Sequence, residues 1–291
     1  MKRLLLSIMW ILTLTMCASC QQTTPSQIAA TTLPVYEFTA ALCEGTHITV
    51  TRLITEEVSC LHDYSLQTRQ MRAIEGAQLL VISGGGLEDF LEDALDSANN
   101  VIDASNQISL HCSHVEDESD HKDHHHENDP HFWLSPANAK IMVSNICQGL
   151  ILQFPEHEET FLANETALLA RLNELHNYGQ MQLSNLSHRD IITFHDGFAY
   201  LAEAYDLNIV KAIEEESGSE ASAAELIDII TLVNENNIAA IFTERSGSSS
   251  AADIIAAETG TAIYQLDMAM AGDSYFDAMY HNIDTLQEAL G

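Results

Sequence analysis

Four polar residues follow predicted β-strands, either directly or in the loop after the strand, where they could bind a metal together. They are His62, His131, His195 and Asp267. In open parallel sheets, ligands bind in the crevice outside the carboxyl ends of the strands. Three neutral imidazoles and one carboxylate form a ligand set that suits a tetrahedral Zn²⁺ ion. Single residues of these types are also common as helix caps or solvated side chains, so their spacing alone leaves both interpretations open.

These residues belong to a pattern in which short apolar or β-branched runs alternate with amphipathic segments, which predicts an α/β fold with mainly parallel sheets. The predicted strands are 28–32, 48–54, 78–82, 101–105, 190–194, 207–213, 238–243 and 262–266. Between the fourth and fifth strands we predict a helix from Pro136 to about Phe154. Apolar residues spaced three and four apart then indicate one long helix from Pro155 to about Asn185. We expect two (β/α)₄ lobes joined by this helix, with one eight-stranded sheet as the alternative.

A tract rich in His and acidic residues, 111–130, lies inside the N-terminal lobe. Its histidines before His131 are His111, His114, His121, His124, His125 and His126. The tract has no apolar periodicity, which is typical of a disordered surface loop, and His-rich tracts bind metal once their imidazoles are neutral. We expect these six residues to form weak auxiliary metal sites. The alternative is a solvated acidic loop.

Several segments resemble the zinc- and manganese-specific solute-binding lipoproteins of ABC transporters, the TroA-like family. The similar segments are 60–65, 84–90, 129–136, 194–200, 241–244 and 280–283. They follow one another in the same order across residues 28–291, and Asp-Pro-His-Phe-Trp-Leu at 129–134 is highly specific. The resemblance implies two lobes bridged by a rigid backbone helix, with one metal buried in the cleft between them.

The resemblance also implies which residues bind the metal. The three histidine ligands are His62, His131 and His195. Asp267 is the expected fourth ligand, with Glu244 or water as alternatives, because the run 265–270 lacks the Asn-Pro-Leu-Glu or Asp-Pro-Leu run of many members. Family members with His at the position of His195 look like zinc binders, whereas members with Glu there look like manganese binders. This difference agrees with the preference of imidazole for Zn²⁺. We therefore expect Zn²⁺.

The net charge of the chain argues against some classes of binding partner and favours others. Its 291 residues include 11 Lys and Arg against 43 Asp and Glu, a formal net charge of −32. This charge repels phosphates, which argues against a nucleic-acid partner, and it favours cations as ligands, although it is also an ordinary route to solubility. The chain has no His-Glu-x-x-His or Gly-x-Ser-x-Gly motif, so these hydrolase signatures are absent.

The N-terminus has the features of an export signal. Lys2 and Arg3 precede an apolar run at 4–16 that is too short to span a membrane. The run 17–20, Cys-Ala-Ser-Cys, resembles a bacterial lipobox, which makes Cys20 the expected lipidation site and the mature N-terminus; plain secretory cleavage is the alternative. We therefore divide the chain into a signal peptide (1–19), a tether (20–27), an N-terminal lobe (28–154), a linking helix (155–187) and a C-terminal lobe (188–291).

Four further cysteines remain after this cleavage. They are Cys43, Cys60, Cys112 and Cys147. An exported protein can form disulfides, but four cysteines in a chain of this length are equally compatible with buried thiols.

Together these features predict a lipid-anchored, monomeric receptor in the cell envelope or periplasm that binds Zn²⁺ and delivers it to the membrane permease of a metal ABC transporter. We do not expect an enzyme, because a filled four-ligand shell leaves no position for a substrate water. Two alternatives remain. One is a secreted zinc-dependent hydrolase that uses the three histidines with an open fourth position, and the other is a zinc-storage or adhesin lipoprotein without a transporter.

Overall fold

The computed structural model describes residues 27–291 except 57–60, 62–63, 96–97, 99, 112–127, 215–221 and 246–249. The first lobe contains four strands: β1 (Ile28–Ala30), β2 (Val50–Arg52), β3 (Leu79–Ile82) and β4 (Val101–Asp103). The second lobe contains β5 (Asp190–His195), β6 (Asn208–Glu214), β7 (Ala240–Glu244) and β8 (Ala262–Leu266). All eight predicted strands are present, although most are shorter than predicted.

The strands form two separate parallel sheets, in the orders β2-β1-β3-β4 and β6-β5-β7-β8. The two-lobe prediction is confirmed, and the alternative of one eight-stranded sheet is wrong. The central strands β1 and β3 are buried along their whole length. Continuous apolar runs suit such strands, because helices cover both faces of a parallel sheet.

Helices connect the strands within each lobe. They are α1 (Leu33–Leu42), α2 (Thr68–Gly76), α3 (Glu92–Leu95), α4 (Pro136–Gln153), α5 (Glu158–Gln182), α6 (Ala199–Ala204), α7 (Ala223–Asn236), α8 (Ser250–Thr259) and α9 (Tyr275–Leu290). Local sequence sets several of their ends. Pro136 occupies the first turn of α4, where its missing N–H costs nothing. Ser222 and Glu225 form a capping box at the start of α7, and Ser274 caps α9.

The predicted linking helix is present as α5, preceded by a 3₁₀ turn at Pro155–His157. It packs against α1 and α4 of the first lobe and against α9 of the second. Gly179 lies where the ring of Tyr205 from the second lobe meets the helix, and a Cβ at this position would come within 2.3 Å of that ring. The helix therefore contacts both lobes, and a glycine provides the space for one of these contacts.

Within the described part of the chain, no helix is both long and apolar enough to cross a membrane. The predicted signal peptide, Cys20, Cys60 and Cys112 lie outside the described residues. Cys43 and Cys147 are buried, free thiols, and burial raises the pKa of each to about 12. The buried-thiol interpretation is therefore confirmed for these two cysteines.

Candidate metal centre

The structure brings two predicted ligands together between the lobes, His131 from the first and His195 from the second. Their Nε2 atoms are 3.4 Å apart, and their rings are perpendicular, at 89°. Both residues are buried, with exposed fractions of 4% and 6%. Two nitrogens bound to one tetrahedral Zn²⁺ at about 2.0–2.1 Å lie about 3.3–3.4 Å from each other. The observed spacing fits two ligands of a single ion.

Asp129 orients His131. Its Oδ1 accepts a hydrogen bond from the backbone N–H of His131 at 2.9 Å and lies 2.8 Å from His131 Nδ1. In the neutral imidazole this arrangement assigns the proton to Nδ1 and leaves the Nε2 lone pair available for a metal. Carboxylates in this position fix the ring orientation and the tautomer of metal-binding histidines.

Glu244 has the corresponding position beside His195. His195 is the last residue of β5 and Glu244 the last residue of β7, and these two strands are neighbours in the sheet. Glu244 Oε1 lies 3.4 Å from His195 Nδ1, and the carboxylate is 5% exposed. Because Nδ1 is not the nitrogen that meets His131, this geometry favours Glu244 as a residue that orients His195 over Glu244 as a metal ligand.

Gly197 leaves room for the ring of His195. A Cβ built at Gly197 would lie 2.6 Å from His195 Cδ2, 2.9 Å from His195 Nε2 and 2.8 Å from Met268 Cε. Real Cβ atoms do not approach other heavy atoms this closely. The glycine is therefore required for the ring to occupy its observed position.

Asp267, the predicted fourth ligand, makes its contacts within the second lobe. Its Oδ2 accepts a hydrogen bond from Arg245 Nη1 at 3.1 Å, and its Oδ1 accepts one from the backbone N–H of Ala269 at 2.8 Å. Among the residues that the structure describes, no group of three or more His, Cys, Asp or Glu is arranged to hold a metal. His62, the remaining predicted ligand, lies outside the described residues.

The two ends of the His-rich tract lie side by side. The backbone N–H of Asp129 donates to the carbonyl of His111 at 2.9 Å. Tyr200 of α6 accepts a hydrogen bond from the His111 N–H at 2.8 Å and donates one to the Asp129 carbonyl at 2.9 Å, and its ring stacks on that of His111. The tract is thus closed at its base and attached to the second lobe. Its other five histidines lie outside the described residues.

Trp133 also connects the lobes beside the histidine pair. Its Nε1–H donates to the carbonyl of Met268 at 2.8 Å, and its own carbonyl accepts a hydrogen bond from the Tyr275 hydroxyl at 2.8 Å. Arg52 of the first lobe also donates to the carbonyl of Gly272, at 2.7 Å. The segment 267–275 that follows β8 is therefore bound to the first lobe.

Sequence reasoning missed the roles of Asp129, Tyr200 and Arg245. A signal existed for Asp129, since a carboxylate two residues before His131 can reach its Nδ1. No local signal indicates Tyr200 or Arg245, because their partners are distant in the sequence. The sequence indicates Glu244 only as an alternative metal ligand. Its position behind His195 could not be predicted, because it depends on the strand order.

Comparisons with known proteins agree with this architecture. A family model described as "Zinc-uptake complex component A periplasmic" matches residues 28–289. The high-affinity zinc uptake system protein ZnuA of Bacillus subtilis is 30% identical over an alignment of 283 positions that covers 90% of this chain and 87% of that protein. The zinc-binding lipoprotein AdcA of Streptococcus pneumoniae is 30% identical over an alignment of 277 positions that covers 90% of this chain and 55% of AdcA. The chain thus spans about half the length of AdcA.

Solved structures show the same fold. A crystal structure of ZnuA superposes with a TM-score of 0.79 at 28% identity, over 91% of this chain and 100% of that one. Zn(II)-bound AdcA from Streptococcus pneumoniae superposes with a TM-score of 0.76 at 29% identity, over 90% of this chain and 57% of that one. The match to the family model covers nearly all of the described chain, and the predicted family relationship is confirmed. The chain belongs to the ZnuA family of periplasmic zinc-uptake components.

Proposed function

We propose that this protein is a zinc receptor of the cell envelope that captures Zn²⁺ between its lobes and delivers it to the membrane permease of an ABC transporter. The observation that carries this proposal is the pair of buried Nε2 atoms at 3.4 Å, each on a ring whose Nδ1 faces a carboxylate. Such a pair supports binding of a metal that prefers nitrogen ligands. His62 is the proposed third ligand, and Asp267 or water completes the shell.

The burial of the site argues for transport over catalysis. A hydrolytic zinc site keeps a position open to a substrate, whereas His131 and His195 are almost fully covered by the protein. Each lobe contributes one of the two histidines, so binding the ion links the lobes. Only the loaded receptor has both histidines bound to one ion. A permease can therefore distinguish the loaded receptor from the empty one by the link between the lobes.

Zinc titration of the mature domain tests this proposal. The wild type should bind one Zn²⁺ tightly, as counted by native mass spectrometry with elemental analysis. His131→Ala and His195→Ala should each weaken this step by at least about tenfold, because even the loss of residues that only orient a ligand often costs that much. The exposed His188→Ala is the matched control and should bind like the wild type. Wild-type affinity in both cleft variants would show that the site is elsewhere.

Delivery requires a cellular experiment. Bacteria that lack this protein should grow poorly under zinc limitation, and the wild-type gene should restore growth while the His195→Ala gene should not. Restoration by the His195→Ala gene would contradict delivery through this site.

The lipid anchor is proposed at Cys20. Two or more acyl chains hold a protein stably on a membrane, whereas one is marginal. Cys20→Ser should therefore move the protein from the membrane fraction to the soluble envelope fraction. A variant that stays in the membrane fraction would contradict lipidation at this residue.

A further inference from the structure

Arg245 is placed against Asp267 by the register of the second sheet. Strands β7 and β8 are parallel, with Glu244 opposite Leu266. The next residue of each strand therefore leaves the same edge of the sheet side by side, and these two residues are Arg245 and Asp267. Arg245 Nη1 donates to Asp267 Oδ2 at 3.1 Å. The contact follows from the sheet itself and does not depend on a long loop.

The backbone of Asp267 is fixed, whereas the partner of its Oδ2 can leave. Asn282 binds both backbone polar groups of Asp267, accepting from its N–H and donating to its carbonyl, each at 2.7 Å. Oδ1 accepts the backbone N–H of Ala269 at 2.8 Å. The side chain that contacts Oδ2 is that of Arg245, which is 66% exposed, whereas the side chain of Asp267 is 15% exposed.

The ion pair competes with a metal for the same oxygen. A carboxylate oxygen that accepts a hydrogen bond from a guanidinium has less electron density to donate to a cation. The positive charge of the guanidinium also repels Zn²⁺. Ion pairs with an exposed partner are weak, because solvent screens them and the long side chain loses freedom. Arg245 can therefore hold Asp267 in the empty site and still be displaced when an ion arrives.

We infer that Arg245 is a latch on the fourth ligand: it occupies Asp267 while the histidine pair is empty, and Zn²⁺ must displace it to recruit the carboxylate. This inference rests on the proposed function and specifies how the same site releases its cargo. Because the guanidinium stays next to the carboxylate, it takes Asp267 back as soon as the metal bond breaks. The latch weakens zinc binding and speeds zinc release, as a receptor that must hand over its ion requires. Arg245 is a positioning residue, since it acts through Asp267.

The test is a double-mutant cycle on the mature protein, with the zinc dissociation rate measured by stopped flow into excess chelator and the affinity by chelator competition. Arg245→Gln should slow dissociation and tighten binding by up to about fivefold, the upper end of the range expected for loss of a weak ion pair. Arg245→Lys should restore most of the wild-type dissociation rate, because it retains the charge. In the Asp267→Asn background, Arg245→Gln should have no further effect. Arg72→Gln removes one exposed arginine of the first lobe and should leave both quantities unchanged.

Two results would overturn the latch: wild-type affinity and dissociation rate for Arg245→Gln, or the same gain in the Asp267→Asn background, which would show a general charge effect. The proposed function fails separately. A wild type that binds no Zn²⁺ at the histidine pair overturns both ideas, whereas normal binding by the wild type with an unchanged Arg245→Gln overturns the latch alone.

Discussion

The two sheets have the same strand order, but their carboxyl edges are used differently. In the first lobe, the chain itself fills the edge with a buried carboxylate, Glu88. Its oxygens accept hydrogen bonds from the Thr31 hydroxyl at 2.6 Å and from the backbone N–H groups of Ser83 and Gly84 at 2.8 and 2.9 Å. This edge is closed by internal hydrogen bonds.

In the second lobe, the same edge carries the polar residues of the candidate site. They are His195, Glu244, Arg245 and Asp267. The first lobe instead supplies His131 from the end of the long connection between β4 and α4. The comparison shows that strand order makes an edge suitable for binding, but the side chains at the strand ends decide whether it is open to a ligand. The first lobe reaches the metal through its connections, with His131 after β4 and the proposed ligand His62 after β2, whereas the second does so at its strand ends.

The largest effect that we expect concerns the closed edge. Burial, with a smaller contribution from Asp103, raises the pKa of Glu88 to about 7. A carboxyl whose pKa is raised by folding stabilises the protein fully below its unfolded pKa, and this contribution is lost as the pH rises through the folded pKa. Between pH 5 and pH 8, the free energy of unfolding of the wild type should therefore fall by about 2 to 3 kcal/mol relative to Glu88→Gln.

Chemical denaturation of both proteins at the two pH values measures this difference. Glu92→Gln, which removes an exposed carboxylate, controls for charge alone. Zinc affinity should be the same in wild type and Glu88→Gln, since Glu88 is not among the proposed ligands and its oxygens bind groups of the first lobe itself. An equal stability difference at pH 5 and pH 8 would contradict the titration, and a large loss of zinc affinity would contradict the contrast between the two edges.

The next effect concerns the open edge. Gly197→Ala places a methyl group within 2.9 Å of His195 Nε2 and against Met268, so the ring must turn away from its partner. Zinc affinity should fall by about tenfold or more, the usual cost of misorienting a ligand. Gly260→Ala is a suitable control, because its Cβ meets nothing within 4 Å, and it should lose some stability without losing zinc affinity. Unchanged affinity in Gly197→Ala would show that the ring position is not required.

The two carboxylates behind the histidines should differ in importance. Asp129 Oδ1 contacts His131 at 2.8 and 2.9 Å, whereas Glu244 Oε1 lies farther from His195 Nδ1, at 3.4 Å. Asp129→Ala should therefore weaken zinc binding by about tenfold, and Glu244→Ala by about threefold, near or below the lower end of the range for such residues. Isothermal titration calorimetry with a competing chelator can measure these two differences in zinc affinity. A greater loss in Glu244→Ala than in Asp129→Ala would reverse the assignment, with Glu244 the better candidate for a ligand.

The smallest effect is expected at the His-rich tract. Deletion of 113–127 should leave the tightest zinc step within about twofold of the wild type, because the buried histidine pair, which its surroundings preorganise, is retained. The ends of the tract already meet, with the Asp129 N–H 2.9 Å from the His111 carbonyl, so a short turn can replace it. The total zinc stoichiometry in calorimetry should fall. Loss of the tightest step with retention of weaker ones would make the tract the main site.

The sequence alone predicted the elements of the fold well, because local patterns determine them. The apolar runs at 79–82 and 240–244 are recognisable as buried strands, and the apolar spacing in Glu158–Gln182 as a helix. The meeting of His131 and His195 was also predictable, since one ends the connection after a strand and the other lies at a strand end in a parallel α/β fold. The start of the linking helix was predicted less accurately, because Pro155 begins a separate 3₁₀ turn before the helix.

The partners of the site residues were not predictable in the same way. The contact between His195 and Glu244 depends on β7 lying beside β5, and that between Arg245 and Asp267 depends on the register of β7 with β8. Sheet order and register are set by packing over the whole lobe. Single-sequence patterns do not contain this information, so Asp267 was expected as a metal ligand with no indication that an arginine contacts it.

The position of Trp133 gives this protein an intrinsic optical reporter. The chain has two tryptophans, and cleavage before Cys20 would remove Trp10, leaving Trp133 as the sole source of indole fluorescence. Its ring lies 5.4 Å from that of His131, and its N–H is bonded to the second lobe. Emission from the mature protein therefore reports from the cleft alone, and the arrival or departure of an ion can be followed in real time without attaching a dye.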